Sequence, residues 1–256
     1  MNSPKDITDL YNSLFKLEAK FKNDEVYPIH KKLHFEGKFQ DIYEYLVSKI
    51  EVKDKEILDA GCGVGFGSML FAKNEAKTVT GISISDLEIE RAKINKTKAG
   101  FSNVTFEMAT FDDTTENNFD LIFCVESLKH SLDFEKSFQF LLKGLKTKGK
   151  LIIVDDFFEG KENKISHNFK NDWNLNFLFS LSHLQLNKEE YSIEYEDLTK
   201  WMFSKSIFKI NCQIMFFKLV KRNAMFKKLF KGGLLLDKLY AKNQMKYQLV
   251  IITKKG

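Results

Sequence analysis

A glycine loop behind an apolar stretch carries the strongest chemical signal in this 256-residue sequence. Asp59 ends the stretch, and Gly61, Gly63 and Gly65 follow it in the pattern G-x-G-x-G, directly before a predicted helix. Glycines at this spacing let the backbone turn sharply and approach a ligand closely. A dinucleotide fingerprint would need glycine where Phe66 stands, and no lysine follows as it does in a phosphate-binding loop. Both phosphate-binding interpretations are therefore weakened.

The loop resembles motif I of the class I S-adenosylmethionine-dependent methyltransferases. The resemblance covers roughly residues 55–156, where strand order, spacing and loop all agree. S-adenosylmethionine is a cation with an amino-acid tail, so the resemblance implies that Asp59 lies near its ammonium group. It also implies that Gly61, Gly63 and Gly65 contact this cofactor, and that S-adenosylhomocysteine is the product.

The segment from Gly81 to Ser85 resembles the G-[IL]-[ST]-x-S variant of tocopherol-type and cyclopropane-synthase-like methyltransferases. In that branch a hydroxyl and a glutamine three positions beyond the last serine hold the cofactor, and Glu88 stands at the glutamine position. The resemblance implies that Ser83, Ser85 and Glu88 bind the cofactor, Glu88 through the ribose hydroxyls. Ser85 and Glu88 also have the spacing of a capping box at a helix start, and the two roles could coexist.

After the third strand, the family usually places an aspartate near the adenine amino group. Thr110 occupies that position here, so the resemblance makes Asp112 the candidate replacement, with Phe111 supplying backbone contacts. A plain surface turn is the alternative interpretation of this segment.

The stretch from Val125 to His130 resembles the E-S-x-E-H segment that follows the fourth strand in tocopherol- and sarcosine-type methyltransferases. The resemblance places Val125 and Glu126 at the cofactor, whereas Lys129 replaces the family's glutamate. Catalysis of methyl transfer depends largely on alignment of the acceptor and exclusion of water. If the acceptor is a hydroxyl, an ammonium or an acidic carbon, one base suffices. His130 is the candidate catalytic base, because imidazole titrates near neutral pH. A structural histidine that holds the loop is the alternative.

Three N-terminal residues are further candidates: Tyr11, Tyr27 and His30. They resemble the aromatic segment that closes over the methyl group in this branch. The other histidines, His34 and those at 167 and 183, have no metal-ligand spacing with carboxylates or cysteines, so no metal site is predicted.

Alternating strands and helices must position these residues. The predicted strands are short apolar runs at 56–58, 78–82, 104–107, 119–125, 150–154, 207–212 and 246–253. Helical patterns separate them, which predicts an α/β fold: a Rossmann-like, seven-stranded, mostly parallel sheet with helices on both faces. Residues 6–50 are predicted to be helices that a structured loop at 23–34 interrupts, with Phe39 on the apolar face of the second helix.

One domain is predicted over residues 1–256, in four consecutive parts. These are an N-terminal helical segment (1–54), a cofactor-binding core (55–156), a substrate cap with a basic helical insertion (157–245) and the last strand (246–256). The cap is rich in aromatic residues and is expected over the carboxyl edge of the sheet, where ligands bind.

The composition is that of a globular protein, with 43% hydrophobic and 29% charged residues. No apolar run approaches the roughly 20 residues that span a bilayer. The first 21 residues lack the apolar core of a signal peptide. The three cysteines are widely separated, which predicts a reducing compartment and a cytoplasmic location.

The charge is distributed unevenly along the chain. Residues 205–256 hold 12 lysines and Arg222 against Asp237 alone, whereas the preceding residues are net acidic. This segment could contact an anionic group or, transiently, a membrane surface, and a solvated lysine-rich face is the alternative.

The leading interpretation is a methyltransferase that acts on a small, lipophilic or anionic metabolite in a biosynthetic pathway. An RNA or DNA methyltransferase that uses the basic segment is the second, although the sequence has no appended nucleic-acid-binding module and no such partner is expected. A non-catalytic binding protein that retains the fold is the third.

Overall fold

A computed structural model describes residues 3–19, 30–35, 37–113, 118–202, 205–219 and 224–256. The strands are Lys32–Phe35 (β1), Lys38–Asp41 (β2), Glu56–Ala60 (β3), Thr78–Ser83 (β4), Val104–Met108 (β5), Phe119–Val125 (β6), Leu145–Phe158 (β7), Tyr191–Asp197 (β8) and Met245–Lys254 (β9). The helices are Pro4–Ala19 (α1), Ile42–Lys49 (α2), Phe66–Lys73 (α3), Asp86–Ala99 (α4), Phe134–Gly144 (α5), Lys164–Asp172 (α6), Ile207–Leu219 (α7) and Ala224–Ala241 (α8).

Seven strands form one sheet in the order β5-β4-β3-β6-β7-β9-β8. Strands β3 to β7 pair in parallel, and β9 is antiparallel to both β7 and β8. The predicted mostly parallel seven-stranded sheet is therefore confirmed. The chain runs outward from β3 in both directions, so the carboxyl ends of β3, β4 and β6 flank the crevice where such sheets bind ligands.

The sheet is buried on both faces. Ile57 and Leu58, adjacent in β3, point to opposite sides and join two different clusters of buried residues. The first cluster includes Tyr43 and Phe71 from α2 and α3, and the second includes Phe138 from α5. Burial on both faces explains why the parallel strands are continuous apolar runs in the sequence.

The second helix predicted within residues 6–50 begins later than expected. Residues 32–41 form a β-hairpin around Gly37, whose φ is 83°. Helix α2 begins only at Ile42, because the Asp41 carboxylate accepts a hydrogen bond from the Tyr43 amide at 2.9 Å. Phe39 therefore lies in a strand and is 61% exposed, not on the buried face of a helix.

The predicted strand at 207–212 is also wrong, because these residues open helix α7. Ile210 is fully buried and Ile214 packs on the cluster around α6 and α8, one helical turn apart. The seventh strand is β8, within the segment that was predicted to be the substrate cap. It lies at the edge of the sheet and is rich in acidic residues, which protect an edge strand from pairing with another chain.

Within the described ranges, no helix is both long and apolar enough to cross a membrane.

Candidate active site

A cavity of about 620 Å³ opens at the carboxyl ends of the central strands. Eleven of the predicted site residues line it: Tyr11, His30, Gly61, Gly63, Ser83, Glu88, Phe111, Asp112, Val125, Glu126 and His130. The sheet brings these residues together from loops that are far apart in sequence. Asp59, Gly65 and Ser85 do not line it, and Tyr27 lies outside the described residues.

Asp59 lies behind the glycine loop and not on the cavity wall. Its carboxylate is fully buried and accepts hydrogen bonds from the Tyr43 hydroxyl at 3.0 Å and the Ser68 hydroxyl at 2.6 Å. Burial raises the pKa of this carboxyl, and the two hydroxyls offset part of that rise. Asp59 therefore ties α2 and α3 to the end of β3. It lies beneath the glycine loop and not at the position expected for a ligand of the cofactor's ammonium group.

Each of the three loop glycines is required or tolerated for a different structural reason. At Gly61 (φ 93°) a Cβ would lie 2.3 Å from the Ser127 Cβ, and at Gly65 (φ 87°) it would lie 2.5 Å from the Phe106 ring. Gly63 (φ 51°) has open space where its Cβ would be. Gly61 and Gly65 thus allow close packing beneath the loop, while Gly63 leaves the cavity side free for a ligand.

The sequence left two roles open at the start of α4, namely helix capping and cofactor binding. The structure distributes them among Ser83, Ser85 and Glu88. The Ser85 hydroxyl accepts a hydrogen bond from the Glu88 amide at 3.2 Å, so Ser85 caps α4. The Ser83 hydroxyl donates to the Glu88 carboxylate at 2.7 Å. Glu88 lines the cavity as a carboxylate at the helix start, so it is placed to accept hydrogen bonds from ligand hydroxyls.

Phe111 and Asp112 belong to a short 3₁₀ helix on the cavity wall, spanning Phe111–Asp113. The Asp112 carboxylate accepts a hydrogen bond from the Ser137 hydroxyl at 2.7 Å and pairs with Lys136 at 2.8 Å. Asp112 is thus held against α5 and also forms part of the wall, which is more than a plain surface turn provides.

Helix α1 packs beside the cavity. The Asn12 side chain donates to the Asp86 carboxylate at 3.0 Å and accepts from the Ser85 hydroxyl at 2.6 Å, which fastens α1 to the start of α4. Tyr11 then contacts His130 edge to face, with ring centroids 5.3 Å apart. Burial raises the pKa of Tyr11, so its hydroxyl stays protonated.

His130 lies on the wall with 7% of its surface exposed. No described residue forms a hydrogen bond with its buried Nδ1 atom. Burial, together with the positive charge of Lys129, lowers the pKa of His130 to about 3. The imidazole is therefore neutral at physiological pH and a weaker base than the sequence-based prediction assumed.

A buried ionic cluster beside His130 was not predicted from the sequence. The Lys129 Nζ atom lies 2.8 Å from the carboxylates of both Asp155 and Asp156, and Lys31 lies 2.9 Å from Asp156. Lys31 also donates its backbone amide to Glu126 at 3.1 Å. We call these five residues the ionic cluster. Its sequence signal is the aspartate pair at 155–156, which interrupts the apolar run at 151–158 in β7.

The charges in the ionic cluster perturb one another. Burial alone would raise the pKa of Asp156, but Lys129 and Lys31 hold it below its usual value. Burial raises the pKa of Asp155, which contacts only one of the two lysines. Two tyrosines complete the arrangement: Tyr240 donates its hydroxyl to Asp156, and Tyr247 donates to Glu126 at 2.7 Å.

The sequence is similar to those of known methyltransferases. Residues 51–203 match the family described as "Methyltransferase domain". Over 110 residues the chain is 34% identical to 24-methylenesterol C-methyltransferase 3 of Arabidopsis thaliana, covering 40% of this chain and 30% of that protein. The chain therefore spans less than a third of that relative's length.

Two solved structures share the fold over nearly the whole chain. One is a candidate sarcosine dimethylglycine methyltransferase from Galdieria sulphuraria, with a TM-score of 0.75 at 19% identity, covering 96% of this chain and 98% of that one. The other is geranyl diphosphate C-methyltransferase from Streptomyces coelicolor A3(2), with a TM-score of 0.73 at 13% identity, covering 99% and 97%. Identities this low show a common fold alone.

Proposed function

This chain belongs to the methyltransferase-domain family, and from that premise we propose that it is an S-adenosylmethionine-dependent methyltransferase acting on a small metabolite. The observation that carries the proposal is the cavity of about 620 Å³ that joins the glycine loop to the neutral His130. Ligand pockets in proteins have volumes of roughly 300–1,000 Å³. The cavity therefore has room for a cofactor and for a small acceptor beside it.

The residues on the wall fit this cofactor. Gly63 leaves open space above the loop, and the Glu88 carboxylate stands at the start of α4, where ribose hydroxyls could donate to it. Phe111 and Asp112 also line the cavity. When bound, S-adenosylmethionine supplies a methyl group on a sulfonium sulfur, which is already a good leaving group. The protein's own task is then to hold, align and dehydrate the acceptor.

The apolar part of the cavity wall supports an acceptor with an apolar body and one nucleophilic polar group. Its apolar lining comes from α1, α6 and the residues beyond them: Ile7, Phe15, Phe169, Trp173, Leu175 and Leu236. An acceptor hydroxyl or amine bound here would lie against the His130 imidazole, which lines the cavity. Because His130 is a weak base, we propose that it positions this group and does not remove its proton before transfer.

The acceptor's place in metabolism follows from the same features. A lipophilic acceptor in a biosynthetic pathway suits the apolar wall, and transient contact with a membrane surface would give the enzyme access to such a compound. Lys31 and Lys129 also reach the wall, but they are already paired with the carboxylates of Asp155, Asp156 and Glu126. This part of the wall therefore favours a neutral or cationic polar group over an anionic substituent.

Calorimetric titration with S-adenosylmethionine and S-adenosylhomocysteine tests the proposal. Wild-type protein should bind both in the micromolar range. Glu88→Ala should weaken binding by about tenfold or more, because it removes a charged hydrogen-bond acceptor. Glu90→Ala, on the exposed side of the same helix, is the matched control and should bind like wild type. Asp59→Ala would be a poor probe, since that carboxylate supports the fold.

Folded wild-type protein that binds neither compound would overturn the proposal and favour a binding protein that retained the fold. If both bind, radiolabelled methyl transfer to lipophilic and phosphorylated acceptors is the next assay. Transfer to RNA or DNA but to no small molecule would contradict the substrate class.

A further inference from the structure

Helix α7 carries apolar side chains on two opposite faces. One face is buried, with Ile210 fully inaccessible and Ile214 packed against the cluster of α6 and α8. The other face is open: Phe208 is 77% exposed, Met215 is 66% exposed and Phe216 is 64% exposed. Cys212 is also exposed, and it lies one turn from Phe208 and nearly one turn from Met215. Large apolar side chains grouped in this way mark an interaction surface.

The segment of the chain that carries this face is strongly basic. Residues 205–256 contain 13 basic side chains and a single acidic one, Asp237, which already pairs with Lys205 at 2.7 Å. Lys209 is exposed on α7 itself, and Lys238 of α8 reaches its edge by donating to Asn211 at 2.8 Å. The occupant of this surface must therefore combine apolar groups with negative charge.

We propose that the exposed face of α7 docks onto an anionic lipid bilayer. The 13 residues of α7 extend about 20 Å, short of the roughly 30 Å hydrocarbon core, so the helix would lie along the interface. Phe208 and Met215 enter the acyl boundary, while lysines contact the phosphate groups. A second copy of the chain fits less well, because it would bring the same positive segment against the first.

The docking stands apart from methyl transfer, since it uses none of the residues that line the cavity. It also extends the proposed function, because a lipophilic acceptor would reach the cavity from the surface on which the enzyme rests. Vesicle binding can be measured without cofactor or acceptor. A failure here therefore leaves the proposed reaction untouched, and a failure of cofactor binding leaves the docking untouched.

Co-sedimentation with vesicles tests the proposal. The full chain should bind vesicles containing about 30% phosphatidylglycerol and should bind pure phosphatidylcholine vesicles much more weakly. Raising the salt from about 0.1 M to about 0.5 M should reduce binding, because it screens the lysines. The double variant Phe208→Ser/Met215→Ser should lower the partition coefficient at least about tenfold. Lys209→Glu should lower it by at least about fivefold.

The matched control is the double variant Phe39→Ser/Met108→Ser. It removes the same two residue types at similar exposures of 61% and 67%, but from other parts of the fold. It should bind vesicles like wild type, and circular dichroism should show both double variants folded. Equal loss in the two double variants, or no binding of wild type to anionic vesicles, would overturn the proposal. Sedimentation equilibrium gives the other outcome: a wild-type dimer that the Phe208→Ser/Met215→Ser variant abolishes would assign the face to a second copy.

Discussion

Replacing Lys129 with methionine should destabilise the protein more than any exposed lysine substitution. The Lys129 side chain is 8% exposed, and its Nζ atom contacts two carboxylates that are almost fully buried. Methionine keeps most of the aliphatic stem and removes the charge. Asp156 retains Lys31 at 2.9 Å and the Tyr240 hydroxyl, whereas Asp155 loses the cation that faces it. The substitution therefore leaves the buried Asp155 carboxylate without a cation, held within the described part of the chain only by the backbone amides of residues 129 and 156.

Removing one partner of a buried ion pair costs about 3–5 kcal/mol. With a urea m-value of about 3 kcal/mol per M, the unfolding midpoint should fall by about 1–2 M. The loss should depend on pH. Burial already raises the pKa of Asp155, and loss of Lys129 raises it further, so the folded variant binds a proton more tightly than the unfolded chain. The deficit should be largest at neutral pH and shrink as the pH falls toward the pKa of Asp155.

Urea unfolding followed by circular dichroism measures the effect at about pH 7 and about pH 5. Lys53→Met is the control, because Lys53 pairs with Glu75 on the surface and exposed pairs contribute little to stability. Adding Asp155→Asn to Lys129→Met should recover much of the loss, since a neutral amide replaces the uncompensated charge. A Lys129→Met midpoint equal to that of Lys53→Met would refute the reasoning, as would a double variant less stable than Lys129→Met.

Further predictions concern His130 and two glycines. His130→Asn should lower kcat by roughly tenfold or more without a large change in KM for the cofactor, measured by methyl transfer to an identified acceptor. Because the folded pKa of His130 is about 3 against 6.5 when unfolded, only the unfolded chain gains a proton as the pH falls below 6.5. Wild type should therefore lose about 1.6 kcal/mol between pH 6.5 and 5 that His130→Asn does not lose, as measured by urea unfolding at both values. Gly67→Ala should cost about 1–3 kcal/mol or prevent folding, because its Cβ would lie 2.0 Å from the buried Tyr43 ring; thermal unfolding checks this. Gly61→Ala should abolish cofactor binding in calorimetry, because its Cβ would lie 2.3 Å from the Ser127 Cβ and force the loop to move.

The elements of the sheet were predictable where local signals agree. Strand β6 was predicted with its observed ends, and β3, β4 and β5 within two residues, because each is an apolar run followed by a polar or glycine turn. Elements with conflicting signals were not predictable. The apolar run at 207–212 satisfies strand and helix patterns equally well, and only packing against α8 favours the helix. The β8 strand is rich in charge because it lies at an edge, so it lacked the apolar signal of the others.

The sequence by itself determined the parallel strands β3 to β7 and the position of the glycine loop, because each of these has a local signal in residues that are close together in the chain. It also determined which loops meet at the cavity, since the carboxyl ends of parallel strands share one edge of the sheet. Only the tertiary structure decided which way each side chain points. Asp59 lies behind the loop because Tyr43 and Ser68 bind it there, and His130 is a weak base because burial and Lys129 disfavour its charged form. Such effects depend on desolvation and on charges that are far apart in the chain, as Lys31 and Asp156 are, with more than a hundred residues between them. The spacing of residues along the chain does not encode these effects.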